Sequence, residues 1–483
     1  MKLKKILEII KEYIVDIKNI VDIDIDYISY DSREVVPNTL FVVKGQHFKI
    51  EYLEQAISQG ASAIISQQFY DVNIPIIVVN NIRNILAPLA KQFYYYNPDS
   101  LKITGITGTK GKSSTTYFLK NIIDYSINKK SAFLSSINSY DGTIEFESHL
   151  TTPEPFELFK HLYNASNNDC HYLTMEVSSQ ALKMKRCSTI NFDIGVFLNI
   201  DNDHISENEH PNFQDYLSSK LLLISQSKKF VLNLDANLNG HLIKHNHLIT
   251  FSQINQKANY YIHDIQALND KVIFKLNDEI YQINMLGTFN VENAAAAIIC
   301  AKEYGFTYEQ IYQGILNTYI PGRMNYHQTK DQKVTIIVDY AHNSLSFNAL
   351  LSSVRNQYHD YNIYIVYGCP GNKAKNRRSE LAHIVNKYVD KAFICMEDPG
   401  YEDPSDIASE VVSHLVIPSE IIHDRQQALL AAIKKRNSDR NTIILFTGKG
   451  EETRQKILDK YVDTMSDEEI AIKAINDLDN GLI

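Results

Sequence analysis

The chain has 483 residues, 44% of them hydrophobic and 22% charged, proportions that exclude wholesale disorder, collagen-like repeats and coiled coil. Its length suggests roughly three domains at about 150 residues each. With 57 acidic against 48 basic side chains the formal net charge is -9, which argues against non-specific nucleic-acid binding and leaves any anionic ligand to local Lys, Arg, backbone amides or metal ions.

In chain order, MKLKKILEIIKEYIVDIKNI is basic and then apolar, like a signal peptide. Glu8, Lys11, Glu12, Asp16 and Lys18 interrupt it at helical spacing and no small-residue cleavage site follows, so it reads as an amphipathic first helix. No run reaches the ~18 apolar residues of a membrane span. Five cysteines, Cys170, Cys187, Cys300, Cys369 and Cys395, form no CxxC and no metal-type spacing. The expectation is a cytoplasmic protein without membrane insertion, in a reducing compartment.

DSREVVPNTLFVVKG (31–45) predicts a turn and a strand, and EYLEQAISQGASAIIS (51–66) a helix ending at Gly60 and then a strand. LKITGITGTKGKSSTTYFLKNIIDYS (101–126) reads strand, Gly-rich loop, long helix, and YLTMEVSS (172–179) and DIGVFLNI (193–200) read as further strands. This alternation predicts a mostly parallel sheet with helices on both faces. From 247 to 286 short alternating strands suggest an antiparallel edge on the central domain. A helical NAAAAIICAKEYG then leads to PGRMNYHQ (321–328). TIIVDY (335–340), NIYIVYG (362–368), KAFICM (391–396) and TIILFTG (442–448) form a second α/β unit. The fold class is α/β in three domains, 1–99, 100–325 and 326–483.

GITGTKGKSS (105–114) carries the strongest local chemistry. A Gly-rich turn between strand and helix lets backbone N–H groups and the helix dipole face phosphates, with Lys112 reaching the β/γ-phosphates and the Ser113 hydroxyl on Mg²⁺. The strict GxxxxGK[ST] pattern fails, because Ile106 holds the first Gly position and Gly105 lies one residue early. Kinases, transporters, GTPases and ligases all remain open at this point. In TTPEPFELF, Thr151 and Thr152 precede a helix start, where they could bind a polar group or simply cap the helix. Glu176 ends an apolar strand, where α/β sheets hold ligands and a carboxylate suits a metal. His204 follows a strand in NIDNDHISENEH, and a lone His there is usually structural. Lys220 in YLSSKLLLIS reads by itself as a surface lysine.

Taken in order, TGTKGKS, TTPE, EVSSQ with Arg186, NIDNDH, Lys220, GTFNVENAAAA, PGRM, DYAHN, EDPGYEDP and TGKGEE resemble the Mur ligase family, MurE type, from about residue 31 to about 453. That family adds an amino acid to a nucleotide-linked muramoyl peptide. ATP phosphorylates a carboxylate, an amine attacks the acyl phosphate, and phosphate leaves. The resemblance implies an N-terminal UDP-binding domain, a central P-loop ATP-binding domain and a C-terminal Rossmann-like domain that binds ATP and the incoming amino acid.

It further implies that Gly108, Thr109, Lys110, Gly111, Lys112, Ser113 and Ser114 cradle ATP. Ser113 and Glu176 would hold Mg²⁺, and His204 a second Mg²⁺ together with Lys220 as its carbamate, since an ammonium cannot ligate a cation. Thr151, Thr152, Ser178 and Arg186 would hold the muramoyl-dipeptide, and Ser32 would lie near the UDP end. Asn290 and Asn293 would approach adenine, while Arg323, Asp339, His342 and Asn343 would complete the ATP site, Arg323 as a phosphoryl-stabilising cation. Two departures are Asn325 after PGRM, where the family usually has Glu, and Lys110, where Asn is frequent.

Relatives that add meso-diaminopimelate carry DNPR, whose Arg grips the extra carboxylate. Here EDPG (397–400) puts Gly400 in that position, beside Glu397, Asp398, Glu402 and Asp403, with Glu452 close in motif order. The resemblance therefore favours UDP-MurNAc-L-Ala-D-Glu and L-lysine as substrates, with Lys373 or Arg378 on the amino acid's α-carboxylate. L-Ornithine is one methylene shorter, a difference worth only about 1–3 kcal/mol. The alternatives are ornithine, meso-diaminopimelate, a folylpolyglutamate synthase-like ligase and a non-catalytic binder. A monomer is expected.

Overall fold

The computed structural model describes residues 1–483 apart from Gln46, His47, His149, Asp203, His204, Glu207, Asn208, Asn269 and Ser438. It divides into two compact units, Met1–Thr250 and Phe251–Ile483.

In the first unit, Val- and Ile-rich runs make a five-stranded sheet in the order Ile14–Lys18, Ile76–Val79, Ala61–Ser66, Thr39–Val42, Tyr27–Ser29. All its neighbours are parallel except the first pair. The expected first helix is only half right. Leu3–Ile10 is helical and buries Leu3, Ile6 and Ile10, but IVDIK forms an edge strand with Ile14 opposite Val79 and Lys18 opposite Ile76. Its β-branched residues and the free sheet edge outweigh a spacing that also fits a helix.

The unit's second sheet runs Ser227–Asn233, Phe192–Phe197, Lys102–Thr107, Tyr172–Glu176, Ala132–Leu134, all parallel, and then a short antiparallel ribbon. Its register sets Ile106 between Glu176 and Val196, so three strands finish at one edge, where open α/β sheets bind ligands. The helix Lys112–Ile127 starts from that edge. Apolar residues such as Ile103, Leu134, Phe159, Leu173, Met175 and Phe230 pack the core.

The second unit opens with an antiparallel meander, Tyr260–Ala267, Val272–Leu276 and Glu279–Ile283. The helix Asn290–Glu303 follows, its Ala294, Ala295, Ala296 and Ala297 all buried, as small residues permit on a helix enclosed on every side. A six-stranded sheet then runs Asn325–Gln328, Val334–Asp339, Thr442–Thr447, Asn362–Tyr367, Lys391–Ile394, Ser419–Ile421, antiparallel only at the first pair. All five cysteines are buried and free. Among the described residues no helix is long and apolar enough to cross a membrane.

Candidate active site

The loop after Lys102–Thr107 is built from residues 108–111. Ile106 is buried in the strand, so the missing first glycine of the strict pattern falls where no loop exists. Gly111 has φ +83° and precedes a helix with no side-chain cap on its first turn. A side chain is disfavoured there, and a helix start reached from a Gly-rich turn is the kind of place that holds phosphate. The Lys112 ammonium lies over the loop, donating to the carbonyls of Gly108 (2.9 Å) and Thr109 (3.2 Å). Asn199 secures Lys110 from both sides, accepting from its N–H at 2.9 Å and donating to its carbonyl at 3.2 Å. Ser114 is buried in the helix's first turn.

Glu176 is 1% exposed. Its Oε1 accepts from the Ser135 hydroxyl (2.6 Å), the Ser136 N–H (2.8 Å) and the Ser136 hydroxyl (3.1 Å), and the Ser136 hydroxyl lies 3.1 Å from that of Ser113. One carboxylate oxygen thus gathers three donors while the other has none of them, and a P-loop hydroxyl sits one residue away. This oxygen set suits Mg²⁺, which takes one or two carboxylates and completes its shell with water and phosphate. Among the described residues no group of three or more His, Cys, Asp or Glu is arranged to hold a metal, and His204, expected as a ligand, lies outside them.

Lys220 is not the surface lysine its local sequence suggests. It is 1% exposed, on the inward face of the helix Phe213–Ser225, donates to the Gly108 carbonyl at 2.9 Å and lies over the Tyr216 ring. Tyr216 in turn reaches the Thr109 hydroxyl at 3.1 Å. Sequence reasoning did not single out Tyr216, Ser135 or Ser136. Nothing in their spacing distinguishes them from packing residues.

Thr152 does not cap the helix Pro155–Asn167, which begins with a proline and has no side-chain cap. Its hydroxyl donates to the Glu176 carbonyl at 3.0 Å and accepts from the Ser178 N–H at 3.0 Å. Thr151 adjoins it, half-buried. Ser178 caps Ser179–Lys183. Arg186 donates to the Thr152 carbonyl at 3.0 Å and pairs with Glu154 at 2.9 Å. Thr151, Thr152, Ser178, Arg186 and Glu176 therefore form one neighbourhood at the sheet edge. Lys44 joins it at 2.5 Å from Glu154. Burial alone would raise the Glu154 pKa, but Lys44 and Arg186 hold it below the ordinary value. Ser32 is buried and donates to Gln55 at 2.9 Å.

In the second unit, Asn290 donates to the Leu286 carbonyl (2.9 Å) and Asn293 to Asn290 (3.2 Å), tying the helix start to its loop. Arg323 packs on the Tyr340 ring at 4.7 Å and lines a cavity of about 260 Å³ with Tyr319, Met324, Asn325 and His327. Asn325, which replaces the usual Glu, is a loop fastener, accepting from the Arg323 N–H and donating to the Ile320 carbonyl, both at 3.1 Å. Asp339 accepts from the N–H groups of Met324 (2.9 Å) and Ala341 (2.8 Å), and burial raises its pKa despite the Arg323 charge. His342 contacts the Tyr340 carbonyl at 2.8 Å, and Asn343 caps Ser344–Gln357.

The acids near EDPG are largely paired. Glu402 accepts from Arg378 at 2.7 Å, and Arg378 also holds Glu410 at 2.5 Å. Asp403 caps Pro404–Ser413. Lys449, a residue of TGKGEE given no role from sequence, bridges Asp398 (3.1 Å) and Glu452 (2.6 Å). Arg425 and Asp467 form a buried pair at 2.6 Å. Arg378, expected at the amino acid's α-carboxylate, is 2% exposed and occupied by these glutamates, whereas Lys373 is exposed. With Glu397 these acids number seven, against four cations, Arg378, Arg425, Lys449 and Lys375, the last 3.9 Å from Glu402. Glu397 is buried, and that burial, with Asp398 and Asp467 adding to it against Arg425 and Lys449, pushes it up to about 7.

A family model for the Mur ligase middle domain matches residues 106–301, and one for the Mur ligase glutamate ligase domain matches 322–450. The chain is 38% identical over 455 residues to the UDP-N-acetylmuramoyl-L-alanyl-D-glutamate--L-lysine ligase of Streptococcus mutans, covering 92% of each. It is 39% identical over 441 residues to the Streptococcus pneumoniae serotype 4 protein of the same name, covering 90% of each. The solved structure of a UDP-N-acetylmuramoyl-L-alanyl-D-glutamate--2,6-diaminopimelate ligase matches its fold with a TM-score of 0.65 at 22% identity, over 94% of this chain and 95% of that one. A P-loop, a carboxylate and a buried lysine meeting at one sheet edge, with relatives matched over nine-tenths of the sequence, place this chain in the Mur ligase family.

Proposed function

We propose that the chain is an ATP-dependent, ADP-forming amide ligase that joins L-lysine to the D-Glu of UDP-MurNAc-L-Ala-D-Glu, a cytoplasmic step of peptidoglycan precursor synthesis. The observation that carries the reaction class is the convergence of Lys112, Ser113, Glu176 and Lys220 on one P-loop, beside Thr152, Ser178 and Arg186. In the reaction the γ-phosphoryl group passes from ATP to a carboxylate oxygen of D-Glu, leaving ADP. The amine of lysine then attacks the acyl carbon, expels phosphate and loses a proton. Lys112 and the loop amides bind the phosphates, and Arg186 with Thr151, Thr152 and Ser178 orients the acceptor. Ser113 and Glu176 would hold Mg²⁺, which when bound supplies positive charge against the phosphates. Residues 1–99, with Ser32, are assigned to the UDP end. Residues 100–325 carry the P-loop, and 326–483, with Asp339, His342 and Asn343, bind ATP and the incoming amino acid.

The L-lysine assignment rests on Gly400, which offers no guanidinium to a second carboxylate, and on the excess of carboxylates around Glu397. ATP-dependent phosphate release with UDP-MurNAc-L-Ala-D-Glu is expected with L-lysine and not with meso-diaminopimelate. Release with diaminopimelate would sink the charge argument, and comparable release with L-ornithine would widen the acceptor class. Lys220 is further proposed to act as its carbamate, which turns a buried cation beside the P-loop into an oxygen ligand. Lys220→Ala is expected to lose activity and to regain part of it with acetate. Failure of acetate to rescue, with bicarbonate dependence persisting in the variant, overturns this.

A further inference from the structure

The segment Ala132–Leu134 is followed by Ser135 and Ser136 in FLSSINSY, to which no role has yet been given. Ser135 is fully buried and Ser136 exposed, and both converge on a single oxygen of Glu176. The Ser136 backbone N–H donates at 2.8 Å, its hydroxyl at 3.1 Å and the Ser135 hydroxyl at 2.6 Å. The Ser136 hydroxyl also lies 3.1 Å from the Ser113 hydroxyl, so it joins the carboxylate and the P-loop hydroxyl directly. Hydrogen bonds gathered on one oxygen of a carboxylate fix which oxygen remains for a cation.

We propose that Ser136, backed by Ser135, is a positioning residue of the Mg²⁺ site: it holds Glu176 by Oε1, which leaves Oε2 to the cation, and ties the Ser113 hydroxyl to that carboxylate. The inference rests on the assignment of Ser113 and Glu176 to Mg²⁺. It goes beyond that assignment in naming a residue of a different strand end as what makes the pair competent. A purely structural role predicts equal loss of ligand binding with and without metal. The proposed role predicts a loss confined to the metal-dependent part.

The test is calorimetric titration of ADP into the full-length protein, with and without MgCl₂, for wild type, Ser136→Ala and Ser136→Thr. Metal-free ADP affinity is expected to be the same in all three. The gain in affinity on adding Mg²⁺ is expected to fall about tenfold in Ser136→Ala, as for the loss of an outer-sphere partner of a metal site, and to return in Ser136→Thr. An unchanged Mg²⁺ gain in Ser136→Ala overturns the proposal, as does an equal drop with and without metal. Absence of any Mg²⁺ gain in wild type would instead refute the Ser113 and Glu176 assignment beneath it. Should Ser136→Ala not fold, Ser136→Cys keeps the volume with a poor donor and is expected to show the same selective loss.

Discussion

A carboxyl as deeply buried as Glu397 can pair with an incoming ammonium only after giving up its proton. Its ordinary value is 4.5 and burial raises it to about 7, so between those values the folded chain holds a proton that the unfolded chain releases. Stability from this group therefore falls as pH rises through that window. A bound ammonium reverses the preference, since it favours the ionised form. The KM for L-lysine is accordingly expected to fall as pH rises from about 6 to about 8, and Glu397→Gln to remove that dependence and raise KM roughly tenfold or more. The same variant should be more stable than wild type at alkaline pH, by up to roughly 3 kcal/mol. A pH series of initial rates and of chemical denaturation checks both, and a pH-independent KM in wild type would remove Glu397 from the lysine site. The acids were legible from sequence as a cluster. Their pairing was not, because most of the partners lie far apart in sequence and only the fold brings them together: Arg378 and Glu402 are 24 residues apart, Arg425 and Asp467 42, and Lys449 and Asp398 51.

At the scale of elements, the loop around EDPG leaves no room for a side chain at Gly400 without moving its neighbours. Gly400 has φ +58°, its N–H donates to the Lys456 carbonyl at 3.1 Å, and a Cβ built on it would stand 2.4 Å from Asn372 Oδ1. That oxygen accepts from the Tyr401 N–H at 2.6 Å, so it is not free to yield. Gly400→Arg is therefore expected to cost about 1–2 kcal/mol from the left-handed backbone alone, measured by urea denaturation, and to gain no use of meso-diaminopimelate by itself. A stable Gly400→Arg enzyme that accepts diaminopimelate would contradict this. Elements were read more reliably than their ends. The strand, loop and helix of the P-loop follow from an apolar run, two glycines and a long helical pattern. IVDIK suits a helix by spacing alone because what makes it a strand is Ile76–Val79, some sixty residues away in sequence, which local periodicity does not register.

Over the whole molecule, the parallel sheets and their helical crossovers were visible as alternating apolar runs, and the order of motifs identified the family before any contact was known. Burial was not visible: Lys220 reads as a solvated lysine in YLSSKLLLIS and is enclosed only because Phe213–Ser225 packs it against the P-loop. The five cysteines carry a practical consequence. Burial pushes all of their thiols up, those of Cys187 and Cys395 to about 12, and the thiolate is the reactive form. Native thiols in this enzyme are thus silent toward maleimides and mild oxidants while it stays folded, so a single cysteine introduced on its surface can carry a fluorophore without any of the five being removed.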